Sequence, residues 1–346
     1  MQFRISLKRA FVLATASAIA VTTVAALPAQ AAPSATTGLY GMADPTYDGV
    51  TRQSLAIMGQ LSNGITPPKA AITWLVNQQC ADGSFQAYRS DLTKPCSASD
   101  PVNYSGPDTN QTAVAAAALA LAGKTENARR AVVWLNGVQS GDGGWPYYPG
   151  GDSDANSTSL AILALRNVQP QDRSARVPNA VKYLGTLQIP CGQAGGGALP
   201  YQAGGVPSQL ASSEAMAGIV GRFPVAQAVP LTRNPRCTGS VEKKLASYLA
   251  TSITMNGVLT SDFGTGADYG STARSIIGLN ALEVGKAAVA RGSRALQSNA
   301  RVYALPNGVA DPGALGLLML VADATGVNPK SYGGVNLVRT LSASIR

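Results

Sequence analysis

Residues 131–165 read AVVWLNGVQSGDGGWPYYPGGDSDANSTSLAILAL. An apolar run with helical spacing ends at Gln139. A Gly-rich turn follows and carries Trp145, Tyr147 and Tyr148, and Asp154-Ala155-Asn156-Ser157-Thr158 opens a second apolar run. Glycine and proline interrupt helices, whereas Asp, Asn, Ser and Thr accept hydrogen bonds from the free N–H groups at a helix start. The stretch therefore predicts a helix, an aromatic loop and a capped helix.

The unit recurs along the chain. Trp74-Leu75 with Gln78, Gly83 and Phe85 repeats its first half, and Asp108-Thr109-Asn110-Gln111-Thr112 repeats its second. Tyr183-Leu184 with Gln188 and Gly192 is a looser copy, and Asp268-Tyr269-Gly270-Ser271-Thr272 is another opening cap. Copies lie roughly 46 to 65 residues apart, the range in which helical hairpins stack. Helical runs pair as 51–61 with 67–79, 108–122 with 126–138, 156–168 with 176–188, 208–221 with 240–254, 271–284 with 286–299, and 312–325 with 334–345. Strand signals are nearly absent. The expected fold is all-α, an α6/α6 barrel (toroid) of about six helical hairpins, closed because an open hairpin cannot bury both of its faces. Ala113 to Leu121 and Leu160 to Leu165 are apolar nearly all round, so the first helix of each pair is expected inside. Arg129, Arg130, Lys182, Lys243 and Lys244 lie on second helices, which are expected to face solvent.

The chain start reads as an export signal. Arg4, Lys8 and Arg9 precede an apolar run from Ala10 to Leu27, and Ala29-Gln30-Ala31 fits a small-x-small cleavage site. Residues 1–31 are thus expected to be a secretory signal peptide, 32–50 an N-terminal leader and 51–346 a single toroid domain. The mature protein is expected in the extracellular space with no transmembrane anchor. Cys80, Cys96, Cys191 and Cys237 make an even count, which in an exported chain points to disulfides. Of the three possible pairings, Cys80–Cys96, which closes one loop, and Cys191–Cys237 are favoured. The formal charge is +9, and removing the three basic residues of the signal leaves 9 − 3 = +6. These charges are scattered and form no stripe, which argues against nucleic acid and suits weak attraction to an anionic cell wall.

The order aromatic-Leu, Gln, Gly, aromatic, best seen in Trp134-Leu135, Gln139, Gly143, Gly144 and Trp145, resembles the QW-type motif of squalene cyclases and the related repeat of protein prenyltransferases. The resemblance spans most of the mature chain. It implies the α/α toroid shared by those families and does not by itself imply a reaction. Protein prenyltransferases hold zinc with an Asp, a Cys and a His, and this chain has no His. No metal and no cofactor are therefore expected. Squalene cyclases open an inner helix with Asp-x-Asp-Asp-Thr, whose middle Asp protonates the substrate. Here the matching segment is Asp154 to Thr158, and Asn156 stands at the acid position, where an amide cannot donate that proton. Asp108 to Thr112 departs from the motif in the same way.

The aromatic residues sit elsewhere. The inner runs 51–61, 108–122, 156–168, 271–284 and 312–325 contain no Phe, Tyr or Trp, while the loops leading into them are rich in aromatics. A ligand-binding rim is expected from Trp145, Tyr147, Tyr148, Tyr201 and Tyr269 with Asp108, Asp154 and Asp268, and Glu214 lies nearby. The alternative role for these acids is helix capping, and for the aromatics, packing of long loops. Two functions follow. The first is a secreted, non-catalytic toroid that binds an unidentified small molecule or glycan at its rim; the vertebrate cobalamin carriers resemble it in fold and export, though they carry an extra β domain that this chain lacks, so cobalamin is only one candidate ligand. The second is an extracellular enzyme on the same fold, either a divergent terpene cyclase or a polysaccharide-cleaving enzyme.

Overall fold

Two kinds of helix alternate along the chain. In a computed structural model, which describes residues 37–171, 174–221 and 230–346, six hairpins follow one another. They are α1 (Gly49–Ser62) with α2 (Lys69–Asn77), α3 (Thr109–Leu121) with α4 (Thr125–Gly137), α5 (Ala155–Val168) with α6 (Arg176–Leu187), α7 (Gln209–Val220) with α8 (Val241–Asn256), and α9 (Tyr269–Ala281) with α10 (Lys286–Ser298). After a short α11 (Ala300–Ala304), α12 (Pro312–Thr325) pairs with α13 (Leu337–Ala343). Each first helix packs on the next first helix, and α12 returns to α1, so α1, α3, α5, α7, α9 and α12 close an inner ring.

Burial follows from this placement. Residues of α3 from Thr109 to Leu119 are buried with Asn110 the only exception, as a helix covered on both sides must be. Outer α4 buries only Ala128, Ala131, Val132 and Leu135, a single stripe at helical spacing. Small residues let the inner helices approach closely. A Cβ on Gly59 would lie 2.4 Å from the Gly316 carbonyl of α12, and one on Gly218 would lie 2.1 Å from the Ser159 carbonyl of α5.

The repeated motif is a set of staples between hairpins. Gln139 donates from Nε2 to the Gly143 carbonyl (2.8 Å) and to the Arg176 carbonyl in the first turn of α6 (3.1 Å). Gln79 does the same with Gly83 and Asn127 (both 2.9 Å), and Gln188 with Gly197 and Val241 (both 3.0 Å). The repeat glutamine of the first copy is thus Gln79, not Gln78, whose Oε1 instead accepts from the Arg89 backbone N–H. Likewise the repeat glycine of the third copy is Gly197, not Gly192. Gly83, Gly143 and Gly197 press against the outer helix that follows, with a Cβ placed 2.5, 2.9 and 2.4 Å from the carbonyls of Arg130, Asn179 and Lys244. All three have a φ between +91° and +97°, which favours glycine.

The leader does not stand apart from the toroid. Leu39 and Tyr40 are core residues, Tyr40 pairs antiparallel with Ile345, and its hydroxyl donates to Gln60 Oε1 (2.7 Å). Residues from Thr37 onward therefore belong to the same compact unit as the helices, earlier than the expected start at residue 51. The expected signal, 1–31, lies outside the described residues. Two disulfides, Cys80–Cys96 and Cys191–Cys237, tie long loops at the helix ends. No helix among the described residues is long and apolar enough to cross a membrane.

Candidate functional site

The loops that enter inner helices form the mouth of the ring. Their order comes from capping. Asp108, Asp154, Asp268 and Asp311 each accept the N–H of the third residue on, at 2.8 to 3.0 Å, and Ser208 caps α7 in the same way (2.9 Å). A second layer crosses between repeats. The Tyr147 carbonyl accepts the Thr109 N–H at the start of α3, and the Tyr201 carbonyl accepts the Ala155 N–H at the start of α5 (both 2.9 Å). Asp262 accepts from Ser208 Oγ (2.6 Å) and from the Gln209 N–H (2.9 Å) at the start of α7. These three loops, entering α5, α7 and α9, are thereby pinned over the preceding inner helix. Two short ribbons stiffen the loops: β1 (Trp145–Pro146) with β2 (Ser153–Asp154), and β3 (Leu259–Thr260) with β4 (Ala267–Asp268).

This arrangement sorts the expected rim residues. Trp145 does not belong to the binding surface. It is fully buried, its indole N–H donates to the Leu135 carbonyl (2.7 Å), and its backbone N–H donates to Thr158 Oγ1 (2.9 Å). Phe85, Leu199 and Leu259 occupy the same position over Thr112, Ser212 and Thr272, so this repeat position is a core plug. Asp108 and Asp154 are each 1% exposed and spent on caps, and Asp268 is also a cap. Burial raises the Asp108 carboxyl to about 7 against two backbone hydrogen bonds that lower it. Burial likewise raises Asp154 to about 6, although Ser157 and Tyr201 donate hydrogen bonds to it. Tyr269 is the first residue of α9 and packs on Tyr303, ring centres 5.6 Å apart, rather than standing in a loop.

Tyr147, Tyr148 and Tyr201 do face the mouth. Tyr147 and Tyr148 meet edge to face at 4.6 Å, and Tyr104 meets Tyr148 at 6.2 Å. With Tyr47 and Tyr88 they line a groove of about 600 Å³ that also borders Gln86, Asn103, Ser105 and Asp108. On the α5–α7 side a second groove of about 720 Å³ is bounded by Tyr201, Val206, Phe263, Asn156, Ser208 and Asp262.

Between the grooves, a pit of about 180 Å³ enters the ring. Its floor is apolar, from Leu55 and Met58 of α1 round to Leu317 and Leu320 of α12. Its collar is polar: Thr51, Asn110, Gln111, Glu214, Arg274 and Tyr147. Asn156 donates from Nδ2 to Glu214 Oε2 (2.9 Å), and Arg274 Nη2 lies 3.8 Å from Glu214 Oε1. Burial raises the Glu214 carboxyl, partly offset by Arg274 and by Asn156. Sequence reasoning placed polar ligand contacts only on the loops and passed over Thr51, Asn110, Gln111 and Arg274. A signal existed: Glu214 and Arg274 are the only charged residues of α7 and α9, each within an otherwise apolar run.

The profile of the prenyltransferase alpha-alpha toroid domain matches residues 40–223, more than half of the chain. Among solved structures, a type II terpene cyclase from Scytonema superposes with a TM-score of 0.53 at 16% identity, covering 84% of this chain and 79% of that one. A sugar epimerase from a ruminal bacterium gives 0.53 at 14% identity, covering 85% and 94%. The protein geranylgeranyltransferase-I of Candida albicans gives 0.51 at 13% identity, covering 83% and 86%. No curated protein matches the sequence. At these identities the structural likeness is one of fold, and the profile match assigns the family: the chain belongs to the prenyltransferase alpha-alpha toroid family.

Proposed function

We propose that the protein is a secreted binding protein that holds a neutral polyhydroxyl ligand, a glycan or a small molecule of that character, across the mouth of its toroid. The observation that carries this reading is the convergence of five tyrosines from three separate segments, Tyr47, Tyr88 and Tyr104, Tyr147 and Tyr148, on one groove. A tyrosine ring covers apolar C–H faces at low entropic cost, and its hydroxyl serves the polar edge. Helix N-termini at the same end attract partial negative charge, but the caps occupy them and burial leaves the Asp108 carboxyl partly protonated near neutral pH, so a neutral ligand is favoured.

Export is part of the proposal. Two disulfides support it, and the apolar segment at 10–27 supplies the signal. The basic surplus favours weak association with an anionic cell wall. Native mass spectrometry of protein purified from culture medium is expected to show a retained ligand and an N-terminus at Ala32. Tyr104→Ala and Tyr147→Ala should each weaken a ligand found this way, or a hit from a glycan array, at least tenfold with the helical circular dichroism unchanged. Binding unaffected in both variants would overturn the mouth reading, and an intact N-terminus at Met1 would overturn export.

A further inference from the structure

We propose that the ligand of the mouth is a polymer, a neutral β-1,4-linked glycan chain that occupies the tyrosine groove and the groove of the α5–α7 side together. This rests on the glycan reading above and narrows it from a small polyhydroxyl molecule to a chain of several sugars. Size is the first observation. The tyrosine groove measures about 600 Å³ and the other about 720 Å³, and a volume of about 300–1,000 Å³ already holds one drug-sized ligand. A single small molecule leaves one of the two grooves empty.

The grooves are neighbours. Tyr104 borders the first and Tyr201 the second. Burial chiefly raises the Tyr201 phenol, Asp154 adds to the rise, and Tyr104 contributes as well, which puts the two rings within electrostatic reach of one another. Aromatic side chains therefore line a route from Tyr47 and Tyr148 through Tyr104 to Tyr201 and Phe263. Tyr104 is held for contact. Its backbone has a φ of +50°, a region costly for a bulky residue, yet its ring is 75% exposed. The turn that presents it is closed by reciprocal backbone hydrogen bonds between Asp100 and Ser105 (2.9 and 3.2 Å), and the Asp100 carboxylate accepts the Val102 and Asn103 N–H groups. Packing of so exposed a ring does not repay that strain, whereas contact with a ligand does.

Charge selects the class of glycan. Among the described residues no Lys or Arg borders either groove, so an acidic polysaccharide meets no counter-charge there. The Asp262 carboxylate is spent on Ser208 Oγ and on the N–H groups of Gln209 and Leu210, and Asp108 is buried under its cap. The surface left to a ligand is neutral and aromatic, with hydroxyls such as those of Thr46 and Ser105 beside the rings. In a β-1,4-linked chain of glucose or N-acetylglucosamine every ring substituent is equatorial. Its C–H faces are free to stack on aromatic rings, and its hydroxyls lie at the edges, where polar groups meet them.

Cellohexaose and chitohexaose are the probes, the second carrying acetamido groups on the same backbone. Cellobiose and chitobiose are their short counterparts, and maltohexaose, whose α-linkage puts an axial oxygen on each ring, is the control. Calorimetry on the mature chain is expected to show saturable one-to-one binding of at least one β-1,4 hexasaccharide. That binding should be at least tenfold tighter than for its own disaccharide and for maltohexaose, because sugars in the second groove belong to a chain already anchored in the first. Tyr47 borders only the first groove and Phe263 only the second, and both side chains are largely exposed (85% and 89%), so replacing them spares the core. Tyr47→Ala and Phe263→Ala should each weaken that hexasaccharide at least fivefold with thermal melting unchanged. A disaccharide that binds as tightly as its hexasaccharide, maltohexaose that binds equally well, or a hexasaccharide that responds to one variant alone would overturn the chain proposal and leave the mouth reading standing. Failure of both β-1,4 hexasaccharides to bind would also overturn it, and the ligand retained in native mass spectrometry then decides the mouth reading separately.

Discussion

Asn156 and Glu214 are joined by a hydrogen bond of 2.9 Å that crosses from α5 to α7 inside the ring. The amide occupies the position where the cyclase motif places its acid, and the carboxyl of this chain sits one inner helix further on. The two residues form one buried unit, because the carboxylate takes the amide's N–H and fixes its orientation.

Asn156→Asp would place two carboxyls against one another. Like charges in one site cannot both ionise, so the proton affinity of the pair rises. A carboxyl whose folded pKa lies above its unfolded value stabilises the fold below the unfolded pKa and loses that contribution as pH rises through the folded one. The variant is expected to match the parent near pH 4 and to fall progressively below it between pH 5 and 8 in denaturation experiments. Asn156→Ala, which only removes the bond to the carboxyl, should cost about 1.5–3 kcal/mol at neutral pH.

Asp108 offers a second test of linkage. Its folded value is raised to about 7 from 3.8 by burial, so its contribution is present below pH 4 and is lost as pH rises toward 7. Asparagine caps helices about as well as aspartate. Asp108→Asn should therefore keep the α3 cap, flatten the pH dependence of the melting temperature between pH 4 and 7, and equal or exceed the parent in stability at pH 8.

The staple between hairpins is testable at Gln139 and Gly143. Gln139→Ala removes three hydrogen bonds, two donated by its Nε2 and a longer one (3.4 Å) that its Oε1 accepts from Arg176 Nη1, at about 0.5–1.5 kcal/mol each, a loss of about 1.5–4.5 kcal/mol. Gly143→Ala forces a side chain onto a backbone with φ of +91° and into contact with the Asn179 carbonyl, and should cost about 2 kcal/mol or more. Urea denaturation of both variants measures the two losses.

The disulfide Cys80–Cys96 closes a loop of 16 residues in sequence separation. Constraint of the unfolded chain by a loop of this size stabilises by about 3 kcal/mol, and the double variant Cys80→Ala/Cys96→Ala should lose that amount. Peptide mapping without reduction is expected to yield the Cys80–Cys96 and Cys191–Cys237 pairs, and any other pairing contradicts the structure.

The helices, their caps and the order of hairpins were legible in the chain because they depend on contacts a few residues apart. Asp154 caps Ser157, Ala128 to Leu135 form one stripe, and Gln139 reaches Gly143 within its own turn. Repetition of that local pattern was enough to specify a closed ring, since stacked hairpins bury their second face only by closing. Side-chain allocation was not local. Trp145 and Tyr147 are two residues apart in one aromatic loop, yet one is sealed against Leu135 and the other overlooks the pit. The difference arises from the loop being pinned over α3, a partner distant in sequence. Asn156, Glu214 and Arg274 likewise lie on three successive inner helices, α5, α7 and α9, and only their side-by-side packing brings an amide, a carboxyl and a guanidinium together. Short-range hydrogen bonding and burial periodicity determine the architecture from sequence alone, whereas which polar groups meet inside it is decided by tertiary packing.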